Sequence, residues 1–170
     1  MTEDIKFREM RRKRQQLSKE DSISILKNST AGVLALSEDG GYPYAVPLSY
    51  VYADGKIYFH SALTGHKIEL LEKNSKVSFC VIDRDDVKPR EFTTYFRSVI
   101  VFGTARIIRG EAEKMAALRK LGARYLPDDE AALTEEIKKG FSRLLMVEIT
   151  IDHITGKETI ELVNSYKIIR

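Results

Sequence analysis

Hydrophobic positions along the chain change their period several times, and each change marks an element. Ser18-Lys19-Glu20-Asp21 resembles a capping box and is followed by Ile23 and Leu26, so the spacing predicts a short helix over 18–28. Residues 31–36, Ala-Gly-Val-Leu-Ala-Leu, form an apolar run of strand length. Glu38-Asp39-Gly40-Gly41 predicts a turn. Residues 42–52 read as a long strand that contains Pro43 and Pro47. Proline has no donor for the ladder, so both must lie at an edge, an end or a bulge. Asp54-Gly55 is the signal of a tight hairpin, with 56–61 as the returning strand.

Thr64-Gly65-His66-Lys67 opens a short helix carried by Ile68 and Leu71. Residues 76–82 predict a strand, 83–90 a charged loop, and 92–108 a long β-prone stretch with Gly103 at a bulge or bend. Helical spacing returns at Ala112, Met115 and Leu118, and again at Leu133 and Ile137, with Pro127-Asp128 between the two helices. Residues 144–151 and 159–163 predict two closing strands, with Gly156 in the turn between them. Short, hairpin-like connections favour an antiparallel sheet. Six or seven such strands that curl on themselves give a mainly β fold, a barrel with peripheral helices. The 170 residues make one domain, with 1–17 as an Arg-rich N-terminal arm.

Composition narrows the field. Apolar residues are 43% and charged residues 31%, which excludes disordered and coiled-coil classes. A single cysteine, Cys80, excludes a disulfide scaffold and a cysteine zinc cluster. Its apolar neighbours predict a buried, inert thiol. The net charge of +3 is too small to argue a nucleic-acid partner. The run Arg11-Arg12-Lys13-Arg14 is diluted by Glu3, Asp4, Glu9, Glu20 and Asp21, and reads as a solvated arm or one laid across a partner subunit. No apolar run has the ~20 residues of a membrane span. The first sixteen residues lack the apolar stretch of a secretory signal, so the expected location is the cytoplasm, without a membrane partner.

Candidate chemistry concentrates in His60-Ser61-Ala62-Leu63-Thr64-Gly65-His66-Lys67, which runs from a strand end into a helix start. Amides at a helix N-terminus bind anions, Gly65 admits a ligand close to the backbone, and Lys67 adds a positive charge. This suits a phosphate monoester; an ordinary capped helix with a solvated lysine reads equally well from residue types. His60 and His66 have no Cys, Asp or Glu between them, so no metal site is expected. There is no G-x-S-x-G elbow and no G-x-G-x-x-G dinucleotide fingerprint. Tyr42, Tyr44, Tyr50 and Tyr52 share one parity if Pro47 causes no slip. They form either a packed sheet face or a wall for a flat ring.

These residues bring out a resemblance. The stretches 7–13, 31–35, 42–47, 50–52, 54–62, Gly65-His66-Lys67, 76–79 and 95–99 resemble the pyridoxamine-phosphate-oxidase-like split β-barrel flavoproteins, and within them the nitroimidazole-resistance (Nim) proteins most. The resemblance implies a six-stranded Greek-key barrel and a homodimer with FMN at the subunit interface. It implies Pro47, Leu48 and Ser49 beside the isoalloxazine ring, and His60, Ser61, His66 and Lys67 at the phosphate and ribityl chain. Phe96, Arg97, Ser98 and Val99 would come from the second subunit. The implied activity is an FMN-dependent oxidoreductase that reduces nitroimidazole-type nitroaromatics, with the electron donor open. Imidazole ordinarily titrates near neutral pH, so His66 or His60 is the candidate to supply the proton. The alternative is a non-catalytic flavin- or haem-binding module.

Overall fold

The structure is a computed structural model that describes residues 7–37 and 41–168. The turn expected at 38–40 and the start of the arm, 1–6, lie outside the described residues. Seven strands form one antiparallel sheet: β1 (Ala31–Leu36), β2 (Tyr44–Ser49), β3 (Val51–Ala53), β4 (Lys56–Ala62), β5 (Lys76–Lys88), β6 (Thr93–Ile108) and β7 (Leu144–Glu158). Their order is β2-β1-β5-β6-β7-β4-β3. The two ends of that order, β2 and β3, are joined in the chain by Tyr50 alone, whose amide donates to the Thr30 carbonyl. A sheet whose two edges are one continuous strand is closed, so the architecture is the expected split barrel. Counting β2 and β3 as one strand gives its six staves.

Alternation decides the interior. Leu34, Leu36, Ile57, Phe59, Phe79, Val81, Val99, Val101, Val147 and Ile149 point inward and are buried. Tyr44, Val46, Leu48, Tyr50 and Tyr52 join the same cluster, so the tyrosine parity holds and the face is packed core. Tyr42 is the exception, 89% exposed before β2 begins. Pro47 lies in β2 opposite Val33, where its missing donor faces away from the only partner strand β2 has. Asp54 and Gly55 have φ of 51° and 76°, the left-handed pair of a two-residue hairpin.

Five α-helices decorate the barrel: α1 (Lys19–Asn28), α2 (His66–Lys73), α3 (Glu111–Tyr125), α4 (Glu130–Gly140) and α5 (Ile160–Ile168). Ser18 Oγ accepts from the Asp21 amide, as the capping pattern predicts. Ile25 and Leu26 of α1, and Ile68, Leu70 and Leu71 of α2, enter the barrel's own core. Helices α3 and α4 build a second core against the outer face of β3, β4 and β7, with Leu118, Leu121, Leu133 and Ile137 on Val51, Tyr58 and Met146.

Three expectations need correction. Residues 83–88 are strand, not loop: a register shift between Ile82 and Arg84 lets β5 continue to Lys88 against β6. Charged residues occupy exposed positions, Asp83 and Asp85, as well as half-buried ones, Arg84, Asp86 and Lys88, and backbone pairing overrides the polar composition. Residues 144–158 are one strand, and Gly156 lies inside it rather than in a turn. A Cβ there would stand 2.4 Å from Ser22 Oγ and 2.9 Å from Leu17 Cβ, so this glycine admits α1 and its lead-in. Residues 160–168 form α5 instead of a strand. The bulge expected at Gly103 is present as a register shift between Phe102 and Gly103.

Candidate functional site at the barrel rim

The sequence-predicted residues separate into two groups because neighbouring strand residues face opposite ways. In β4, Ser61 points inward and is buried, whereas His60 points outward and is exposed. In β2, Leu48 packs into the core, whereas Pro47 and Ser49 are exposed on the outer face. In β6, Val99 is wholly buried in its own barrel and packs in the core, away from any ligand surface of this chain. Phe96, Arg97 and Ser98 are half-buried on the same strand. Arg97 Nε lies 2.8 Å from Asp83 Oδ2, and the Lys157 ammonium stands 5.3 Å over the Phe96 ring.

The first group gathers at the start of α2. Gly65 occupies the N-cap position with φ 133° and ψ 164°, a region open to glycine almost alone. A Cβ at Gly65 would meet nothing within 4 Å, so space lies open above this turn. The Ile68 and Glu69 amides both donate to the Gly65 carbonyl. His66 sets its ring edge-on to Tyr44 at 4.6 Å between centroids. Lys67 is half-buried, with its ammonium 5.9 Å from the Phe59 ring centre. It makes no ion pair among the described residues, and burial pulls its pKa below the ordinary lysine value. A desolvated, unbalanced cation beside helix amides fits the phosphate of a flavin mononucleotide.

The second group borders a slot of about 300 Å³ between the barrel and α3–α4. Ser49 and His60 form its barrel side; Leu118, Leu121, Ile137 and Leu144 supply apolar walls. Tyr125 closes one side, held by its hydroxyl, which donates to the Thr30 carbonyl at 3.1 Å. Gly122 lets the two helices meet, since a Cβ there would stand 2.1 Å from Leu133 Cδ1. Tyr125, Glu136 and Gly140 of this slot were missed by sequence reasoning. The signal available was two glycines, Gly122 and Gly140, on the apolar faces of paired helices.

Cys80 is not the buried core thiol expected from its neighbours: it alternates with buried Phe79 and Val81 and is half-buried on the outer face between Val33 and Ile100, where partial burial raises its thiol pKa. Among the described residues, no three His, Cys, Asp or Glu side chains converge as a metal site, and no helix is long and apolar enough to cross a membrane.

A closed antiparallel barrel with this strand order and a glycine-led turn at its rim defines the class. The sequence model of the pyridoxamine 5'-phosphate oxidase family matches residues 18–158, and the chain belongs to that family. Solved structures agree on the fold. A candidate 5-nitroimidazole antibiotic resistance protein from Bacteroides thetaiotaomicron is 23% identical, with TM-score 0.70, covering 84% of this chain and 86% of its own. An FAD-binding protein from Mesorhizobium loti is 25% identical, with TM-score 0.58 and coverage of 85% and 97%. An FAD- and haem-binding protein from Mycobacterium smegmatis is 22% identical, with TM-score 0.72 and coverage of 86% and 74%. No curated protein sequence matches the chain.

Proposed function

We propose that the protein is an FMN-dependent oxidoreductase that works as a homodimer and reduces nitroaromatic compounds of the nitroimidazole type. The observation that carries this is Lys67: a half-buried ammonium without an ion pair among the described residues, next to the glycine-led start of α2, in a chain of this family. A terminal phosphate monoester can take charge-assisted hydrogen bonds from this ammonium and from the amides of the turn, which supports FMN. The bound isoalloxazine would supply the two-electron chemistry, and the protein supplies binding, orientation and protons.

The chain's own residues divide that work. Gly65 keeps the backbone open to the phosphate, and Lys67 neutralises it. Ser49 and Pro47 present a hydroxyl and a compact aliphatic ring on the outer face of β2, where the resemblance puts the isoalloxazine. His60 faces the slot and can hold a proton for a substrate there; His66, against Tyr44, belongs to the cofactor side. The outer face of β1, β5 and β6 supports a dimer, because Ile82, Ile100 and Phe102 are exposed by 67%, 41% and 42%. A patch of that kind on a strand face marks an interaction surface.

Purification of the intact protein with its ligand tests the reading. FMN gives absorbance bands at about 375 and 450 nm and a matching released mass. A single intense Soret band would favour the alternative of a non-catalytic haem-binding module. Protein that is colourless, and does not take up added FMN, would overturn the proposal.

A further inference from the structure

The slot between α3–α4 and the barrel has a chemistry of its own. Five aliphatic side chains and the Tyr125 ring form its walls, and its polar side chains include Ser49, His60 and Glu136. No lysine or arginine lines it. A volume near 300 Å³ is at the small end of ligand pockets and holds a body of one or two rings. An anion entering would meet Glu136 with no lining cation to balance it. Desolvating an unpaired charge against aliphatic walls is costly.

We infer that this slot is the substrate site, and that it takes flat, uncharged or cationic heteroaromatics while rejecting anionic ones. The apolar ring lies between Leu121, Ile137 and Leu144, with its polar end toward His60 and Ser49. This rests on the flavin reading only for placing Ser49 beside the cofactor. It carries a consequence for the family name: a phosphorylated vitamer such as pyridoxamine 5'-phosphate is the wrong charge for this slot. The phosphate-compatible turn at Lys67 is a separate place, serving the cofactor.

Gly140 gives a clean block. It lines the slot in a right-handed helical conformation, and a Cβ there would meet Leu144 Cδ2 at 3.5 Å, an ordinary contact. A Gly140→Leu side chain therefore has room at its base and projects into the slot. The experiment titrates the purified protein, with and without FMN, with 4-nitrobenzyl alcohol and 4-nitrobenzoate by calorimetry. The neutral probe should bind at least tenfold more tightly than the anionic one. Gly140→Leu should weaken the neutral probe at least tenfold with the 450 nm flavin band unchanged. Glu136→Gln should narrow the gap between the probes by a few-fold. Amide shifts in the unaltered protein provide a second readout: Gly122, Gly140 and Ser49 should move on titration, and Gly55 should not. Equal affinity for both probes, or shifts that spare Gly122 and Gly140, would overturn the inference. Loss of flavin binding with the probe still bound would instead count against the flavin reading alone.

Discussion

The two halves of the barrel's outer surface differ in what covers them. On β3, β4 and β7, outward residues such as Val51, Tyr58 and Met146 are sealed under α3 and α4. On β5 and β6, outward residues Ile82, Ile100 and Phe102 stay exposed, although the Phe7 ring comes within 5.5 Å of the Phe102 ring. Both halves alternate apolar side chains in the same way, so strand pattern alone does not distinguish them. The proposed homodimer would place its second copy on the bare half.

A matched pair of substitutions breaks or sharpens this contrast most strongly. Met146→Lys places a charge at a wholly buried outward position, and should cost more than about 4 kcal/mol or prevent folding. Ile100→Lys should change monomer stability by no more than about 0.5 kcal/mol, as surface substitutions do, while converting the dimer to monomer in sedimentation. If the two variants lose equal stability in urea, the bare half is ordinary core-like surface and the dimer proposal fails.

The covered half also holds a charge cluster. Glu148 of β7, buried at 4% side-chain exposure, accepts from Lys56 Nζ and Arg106 Nε, each at 2.9 Å. Arg106 also pairs with Glu113 of α3, so the cluster ties the helix to the barrel. Burial pushes the Glu148 carboxyl up, but the two donors outweigh it and hold it below the usual glutamate value. Its stabilisation is therefore complete above the ordinary carboxylate range and is lost as pH falls through the depressed folded value. Glu148→Ala should cost about 2–3 kcal/mol, less than a fully buried pair because both cations are partly exposed. Urea melts at neutral and acid pH check both the size and the sign.

At the cofactor turn, Lys67→Ala should weaken FMN by about 1.5–3 kcal/mol, the range for hydrogen bonds to charged groups. Riboflavin, which lacks the phosphate, should be nearly unaffected. Equal losses for the two ligands would move the phosphate away from α2.

The smallest effect is expected on the barrel's inner face. Glu158 is buried opposite Arg97, and one of its oxygens finds no hydrogen-bond donor among the described residues. Burial raises its pKa, Arg97 pulls it down, and Asp21 pushes it up again, with the net direction upward. An acid raised on folding contributes stability below its unfolded value and loses it as pH rises through the folded one. Glu158→Gln should therefore leave acid stability unchanged and raise the melting temperature by about 1–3 °C at neutral pH. A lower melting temperature at pH 7 would show that the carboxylate is a useful partner for Arg97.

Local signals were legible where one residue type answers one backbone demand. Ser18 caps α1, Asp54-Gly55 turns the β3–β4 hairpin, Gly103 marks a bulge, and Pro47 announces an edge. The glycine-led start of α2 at Gly65 was legible for the same reason. Gly156 misled because a glycine that admits a close neighbour looks, in one dimension, like a glycine that makes a turn. Residues 83–88 misled because charge suggested solvent, while β6 supplied backbone partners all the way to Lys88.

By itself the sequence determined the strand count to within one, the antiparallel habit, the helix pair α3–α4 and the turn that suits a phosphate. These follow from periods, caps and turn residues, which act over a few neighbours. Only the tertiary structure decided that β2 and β3 are the two edges of one closed sheet, and that His60 and Ser61 face opposite sides of β4. It also brought Ser49, His60, Tyr125 and Glu136 to one slot from four separate elements. Those facts depend on which distant strands pair and which face the helices cover, and burial of apolar area over the whole chain settles that, not the preference of any single segment.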